Sequence, residues 1–230
     1  MLWNKTKLKE IGFQPLTEDL CVYVKRPGDS YIIIYVDDAI IAAPTKDQVA
    51  EVKRQINDTY PLKELGEPGK FLGCHVVRDY DSRTITLFQT PYVEAMLDEY
   101  GMSSCYKHAL PMNPKYLKAG GGDPVDNQGY LHLTRQLNWV ATKTRPDIVY
   151  AVGRLQKKNS SPTTTDMAAG KHLLRYLKGT KNHGVCLGTW PHEGLAVYVD
   201  ASHADNTDGK STESFVTTFA GAPISWASKK

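Results

Sequence analysis

The sequence predicts an α+β protein in which a mixed sheet is followed by a run of helices and then by a second sheet. Three observations carry that expectation. Residues 21 to 43 are dominated by strand-forming side chains, residues 130 to 179 hold three helical patterns in succession, and alternating strand patterns return after Lys181. A turn-rich stretch, "PMNPKYLKAGGGDPVDNQG", divides the first region from the second. At 230 residues the chain fits one large domain or two modest ones.

Taken in order, "NKTKLKEIGF" reads as a short helix, and "LCVYVKRPGDSYIIIYVDDAIIAA" as strands broken at "RPGDS" and again at Asp37 and Asp38. Two strands joined by two residues form a β-hairpin, here Tyr31 to Val36 and Ala39 to Ala43, with the aspartates as its tip. Asp tolerates the positive φ that such turns need. The flanking runs are apolar at odd and even positions alike, which predicts cover on both faces. Thr45 is placed to cap a helix through about Tyr60, with Val49, Val52, Ile56 and Tyr60 along one face. "KFLGCHVVRDYDSRTITLFQ" predicts a second hairpin turning at "DYDSR". "TPYVEAMLDEYGM" predicts a helix with Thr90 as cap and Pro91 at its first position. Three helices follow, "YLHLTRQLNWVATK", "PDIVYAVGRLQKK" and "TTDMAAGKHLLRYLKG". The strands "GVCLGT", "LAVYVDASHA", "SFVTTFA" and "PISWAS" come last, and no internal repeat is visible.

Hydrophobic content of 41% and charged content of 23% describe an ordinary globular chain. Its net charge of +3 neither demands nor excludes a polyanionic partner. The distribution says more. Between Ala141 and Lys181 stand nine Lys or Arg against two acids, Asp147 and Asp166, a local excess of +7. Lys171, Arg175 and Lys178 recur at i, i+4 and i+7, a basic stripe beside a seam of Leu174 and Leu177. Such a stripe is either a solvated face or a grip on phosphates. Four cysteines without CxxC spacing, a charged "MLWNKTKLKE" opening and no apolar run of about 20 residues predict reduced thiols in an intracellular protein, cytoplasmic or nuclear, neither secreted nor membrane-bound.

Asp37 and Asp38 lie inside one of the most apolar stretches of the chain. They are a solvated turn, or they are a functional pair: adjacent carboxylates repel, and each is best held charged beside a cation such as a divalent metal.

"YVDD" on a hairpin between apolar strands resembles the polymerase motif of reverse transcriptases. The blocks "KELGEPGKFLGCHVVRD", "LFQTPYVEAMLDEYGM", "TRPDIVYAVGRL", "LLRYLKGT" and "YVDASHADNTDGKST", in that order, resemble copia-type long-terminal-repeat retrotransposon polyproteins over nearly the whole chain. The resemblance implies a partial polymerase palm over residues 1–89, a helical thumb over 90–182 and an incomplete RNase H-like sheet over 183–230. It implies Mg2+ or Mn2+ at Asp37, the principal ligand, and at Asp38, in a two-metal nucleotidyl transfer. Phe71, Leu72 and Gly73 would belong to a primer grip, Gly73 allowing close backbone approach; an ordinary strand irregularity is the other reading of that glycine. Lys171, Arg175 and Lys178 would hold the backbone of an RNA/DNA template-primer duplex. Asp200 would be a metal-binding carboxylate of the ribonuclease site. His203 stands where the family usually has an aromatic residue, and reads as a surface histidine or as a metal ligand.

The resemblance also implies what these residues lack. A further palm aspartate would stand on an earlier strand, and Glu10, Glu18, Asp19 and Asp29 have no matching context. The glutamate and the later aspartate of the ribonuclease site find no match after "SWASKK". The expectation is therefore a polyprotein fragment, inactive by itself unless other polyprotein segments supply the missing groups, or a non-catalytic nucleic-acid-binding remnant.

Overall fold

The computed structural model describes residues 5–27, 29–58, 63–118, 121–188, 193–203 and 209–229. The chain divides into two compact units, Met1–Pro68 and Gly69–Lys230. Among the described residues no helix is long and apolar enough to cross a membrane.

The first unit runs α1 (Lys5–Glu10), β1 (Gln14–Pro15), β2 (Val22–Lys25), β3 (Ser30–Tyr35), β4 (Asp38–Ala42) and α2 (Lys46–Asn57). Its strands pair antiparallel in the order β1-β2-β3-β4. Register decides which side chains are buried. Tyr23 stands opposite Ile32 and Ile32 opposite Ile41, so these point one way, while Ile33 and Ile40 form a pair pointing the other. The first set packs with Leu8, Phe13, Val52 and Ile56 in one core. Each such side chain, fully buried, contributes about 1.5–3 kcal/mol. Thr45 caps α2 with a reciprocal box, its hydroxyl accepting from the Gln48 backbone amide at 3.2 Å and the Gln48 side-chain Oε1 accepting from the Thr45 backbone amide. Val52 and Ile56 are the buried face, as the spacing predicts; Tyr60 lies outside the described residues.

The predicted cover on both faces is corrected: α1 and α2 both feed the one cluster, and Ile33 and Tyr35 on the opposite face are 36% and 55% exposed.

The second unit runs β5 (Lys70–Phe71), β6 (Cys74–Asp79), β7 (Thr84–Phe88), α3 (Thr90–Glu99), α4 (Asn127–Lys143), α5 (Val149–Gln156), α6 (Thr164–Gly179), β8 (Gly184–Leu187), β9 (Leu195–Ser202), β10 (Thr212–Phe219) and β11 (Ala222–Lys229). Short 3-10 turns occupy Pro114–Lys118 and Pro146–Ile148. One antiparallel sheet has the order β5-β6-β7-β8 and the other β11-β10-β9. The four helices bury a shared core that includes Val93, Leu133, Leu137, Leu155, Leu173, Leu174 and Leu177.

Three local expectations change here. The sequence places "GVCLGT" among the closing strands, yet β8 pairs with β7, Gly184 opposite Phe88; a Cβ on Gly184 would lie 2.1 Å from the Leu87 carbonyl oxygen, so only glycine admits this pairing. Thr90 is the first residue of α3 rather than its cap, and its hydroxyl donates instead to the Lys181 carbonyl at 2.8 Å, tying the strand-helix junction to the chain just ahead of β8. Pro146 opens a 3-10 turn, and the α-helix begins three residues later.

Candidate functional site

The β3–β4 hairpin presents the carboxylate pair, one residue out of the predicted register. Tyr35 pairs with Asp38, so the two-residue turn is Val36-Asp37, and Asp38 is the first residue of β4. The left-handed position falls on Val36, at φ +54°, although β-branched residues are costly there. This register sets two isoleucine pairs, Ile32–Ile41 and Ile33–Ile40, directly across the ladder, which favours it over the longer hairpin. Both aspartates are exposed, Asp38 on the uncovered face of the sheet beside Tyr35. Strain held at the tip of a carboxylate-bearing hairpin is the kind of feature found at working sites.

Phe71, Leu72 and Gly73 form a tight turn of their own. Phe71 pairs with Cys74, and Leu72 and Gly73 take φ of +49° and +79°, the two left-handed positions of a type I′ hairpin. The predicted single hairpin is thus a three-stranded meander, turning here and again at 80–83, where Asp79 Oδ1 accepts from the Asp81 and Ser82 amides. What comes close to Gly73 is Trp139 of α4: a Cβ would lie 3.0 Å from its ring.

The basic stripe of α6 is only partly available. Leu174 and Leu177 are buried, as the sequence predicts. Lys171 is exposed, but Lys178 Nζ donates to the Cys105 carbonyl and the Arg175 guanidinium lies 4.7 Å from the Tyr106 ring centre. Residues 105–110 run across this helix: the His108 amide donates to the Arg175 carbonyl at 3.3 Å, and the His108 and His172 rings stack 3.9 Å apart.

Two other charges in this region, Arg145 and Asp166, are interior. Arg145, whose side chain is 2% exposed, donates to both Asp147 carboxylate oxygens at 2.8 and 2.7 Å and to the Thr180 carbonyl and hydroxyl at 2.8 and 2.7 Å. The Tyr176 hydroxyl donates to Asp147 Oδ2 at 2.8 Å. Asp166 accepts from the Tyr116 hydroxyl at 2.7 Å and closes the capping box of α6 on Thr163. Composition does not separate these groups from surface charge. Their sequence signal was the "TRPD" spacing, in which a guanidinium and a carboxylate two residues apart bracket a proline turn.

Asp200 lies on β9 opposite Ser214, exposed, in a cavity of about 390 Å³ lined also by Tyr150, Ser202 and Thr212. His203 is exposed. Asp37 and Asp38 belong to the first unit, and Asp200 to the second. Among the described residues no three His, Cys, Asp or Glu side chains gather as a metal centre. A hard divalent cation takes about six oxygen ligands, so neither Asp37 with Asp38 nor Asp200 makes a complete site from described protein groups. All four cysteines are free thiols.

Residues 1–114, which include the hairpin, match the family model described as reverse transcriptase (RNA-dependent DNA polymerase). The chain is 33% identical over 92% of its length to a retrovirus-related Pol polyprotein from transposon TNT 1-94 of Nicotiana tabacum, and spans 17% of that protein. It is 32% identical over its whole length to a putative transposon Ty5-1 protein of Saccharomyces cerevisiae, covering 77% of it. Against the retrovirus-related Pol polyprotein from transposon RE1 of Arabidopsis thaliana it is 32% identical over 97% of its length and spans 15% of that relative. No solved structure matches. The chain belongs to the reverse-transcriptase family of copia-type retrotransposon polyproteins.

Proposed function

We propose that these 230 residues are a polymerase palm portion, a helical thumb and the opening strands of a ribonuclease H domain, and that they do not catalyse DNA synthesis as a lone chain. Asp37 and Asp38 are the palm carboxylates for Mg2+ or Mn2+, Asp200 is the ribonuclease carboxylate, Phe71 to Gly73 are the primer-grip turn, and α6 faces the template-primer duplex through Lys171. The observation that carries the reading is the exposed carboxylate pair on a strained hairpin with no third metal-binding group gathered around it among the described residues.

A bound divalent ion supplies charge neutralisation for phosphoryl transfer. Asp37 and Asp38 by themselves give it too few oxygens. Two features support another polyprotein segment as the partner that completes the palm. Among the described residues β4 is the last strand in its sheet order, and the adjoining face exposes Ile33, Tyr35 and Val36.

Extension of a labelled primer on an RNA template, with Mg2+ and nucleotides, tests the reading. The purified chain should give no product, because electrostatic stabilisation and substrate orientation are both lost and each is worth several kcal/mol of barrier, about 7–11 for orientation alone. Extension that disappears in the Asp37→Asn variant would overturn it.

A further inference from the structure

The turn at Phe71 to Gly73 is held from outside its own hairpin. β5 is two residues long, and the ladder pairs it at two positions, Lys70 opposite His75 and Phe71 opposite Cys74, with one further bond from the Val76 amide to the Gly69 carbonyl at 3.0 Å. So short an arm orders its tip weakly. The added hold comes from α4. A Cβ on Gly73 would lie 3.0, 3.7 and 3.8 Å from Cζ2, Cε2 and Nε1 of Trp139, so the indole fills the place a side chain would take. Trp139 is 37% exposed, while Leu137, Val140 and Ala141 beside it on α4 are fully buried; the core fixes the helix and the indole lies at its margin. Lys143 Nζ, one helical turn further on, stands 4.8 Å from the centre of the same ring.

The end of α4 is itself pinned. Trp226 Nε1 on β11 donates to the Ala141 carbonyl at 2.8 Å, and the Thr144 hydroxyl donates to Gln89 Oε1 at 2.9 Å, Gln89 following directly on β7. Contacts therefore close a circuit: from the turn along β6 and β7 to Gln89, across to Thr144, back along α4 to Trp139 and onto Gly73. We infer that Trp139 is the positioning residue of this turn, its indole setting where Leu72 and Gly73 stand against the helical core, with Lys143 steadying the ring. The consequence for polymerisation rests on the reading of Phe71 to Gly73 as the primer-grip turn. Trp139 acts through the turn and not on the reacting atoms, and a displacement of about 1 Å in such a support is enough to cost a reaction its orientation.

Amide hydrogen exchange of the full chain, followed by NMR, reads the turn directly. Trp139→Leu should raise exchange at Cys74, which closes the turn, about tenfold, and leave Leu137 and Leu173 in the helical core at parental rates. Trp139→Phe, which keeps a flat ring, should recover part of the protection. Lys143→Gln leaves the core untouched and should raise the same exchange about threefold, a second reading should Trp139→Leu fail to fold. The cost of Gly73→Ala at that amide should shrink in the Trp139→Leu background, since the left-handed φ remains but the ring it would strike is gone. Parental exchange at Cys74 in both Trp139→Leu and Lys143→Gln overturns the inference. A rise shared equally by the helical core also overturns it, because the indole would then support the fold and not the turn. The reading on which the consequence rests has its own arm, photocrosslinking in EDTA of a template-primer duplex with a terminal thiothymidine on the primer. The parent should form an adduct at Phe71 to Gly73, and Trp139→Leu should lose most of it with the salt slope of binding unchanged. An adduct kept in full by Trp139→Leu overturns the positioning role. No adduct in the parent, with exchange at Cys74 still raised by Trp139→Leu, overturns the primer-grip reading and upholds Trp139 as the brace of the turn.

Discussion

Arg145 shows how far a residue's role can lie from its formal charge. Its planar fork satisfies a carboxylate and the end of α6 at once, with the side chain 2% exposed. Arg145→Ala removes a buried side chain and leaves the Thr180 carbonyl and hydroxyl without their donor, and should cost about 1–3 kcal/mol, read as a fall in the urea midpoint. Arg145→Lys should recover only part of that, since an ammonium cannot reproduce the bidentate geometry. Burial pushes the Asp147 carboxyl up, but hydrogen bonds and charge from Arg145, with help from Tyr176, hold it below the usual carboxylate range. A folded-state pKa depressed in this way contributes stability above the unfolded value of about 3.9, and that contribution is lost as pH falls through the folded value. The parent should therefore lose stability in that acid window, while Asp147→Asn, already weaker at neutral pH, should show a flatter dependence there. "TRPD" was legible as a block of the family resemblance, yet nothing in composition separates an interior arginine from eight other basic residues nearby.

At the scale of elements, the segment 105–110 decides what α6 presents. It takes the Lys178 ammonium and the Arg175 face that the helical spacing alone assigns to solvent. His172 adds a contact to the Leu110 carbonyl at 2.9 Å, and His108 stands between the His172 ring and the edge of Tyr106. Burial, then the positive charge that His172 and Arg175 can bring, depresses the His108 pKa. For a lowered histidine, the stabilising contribution is present above the unfolded value of about 6.5 and is lost as pH falls below it toward the folded value. Acidification from about pH 7.5 to 5.5 should accordingly loosen this segment from α6. Amide exchange at His108, corrected for the intrinsic rate, should speed up in the parent and respond less in His172→Gln; unchanged protection in the parent would refute the coupling. Similar reasoning explains the shifted hairpin. Two apolar strands and a two-residue turn were legible, but the choice between neighbouring registers lay in cross-strand isoleucine pairs, which local propensity does not weigh.

For the whole molecule, a net charge of +3 conceals a local excess whose usable part is smaller than its count. Duplex binding should be weak, salt-sensitive and independent of sequence. Replacing Lys171, Arg175 and Lys178 together should flatten the slope of log affinity against log salt by about 0.9, one phosphate contact, instead of three times that, because Arg175 and Lys178 are engaged by the chain itself. A change of about three units would mean that the 105–110 segment yields to nucleic acid. The sequence by itself determined the α+β class, the order of strands and helices, the Thr45 cap, the buried leucines of α6 and the retrotransposon family, since periodicity, capping and ordered motifs are local properties of the chain. Only the tertiary structure decided that β8 joins β7, that one face of the β3–β4 sheet is left uncovered, and that Arg145 and Asp166 are interior. Those outcomes depend on contacts between residues distant in sequence, such as Gly184 against Leu87 and Arg145 against Thr180, whose energies arise only once the packing has formed.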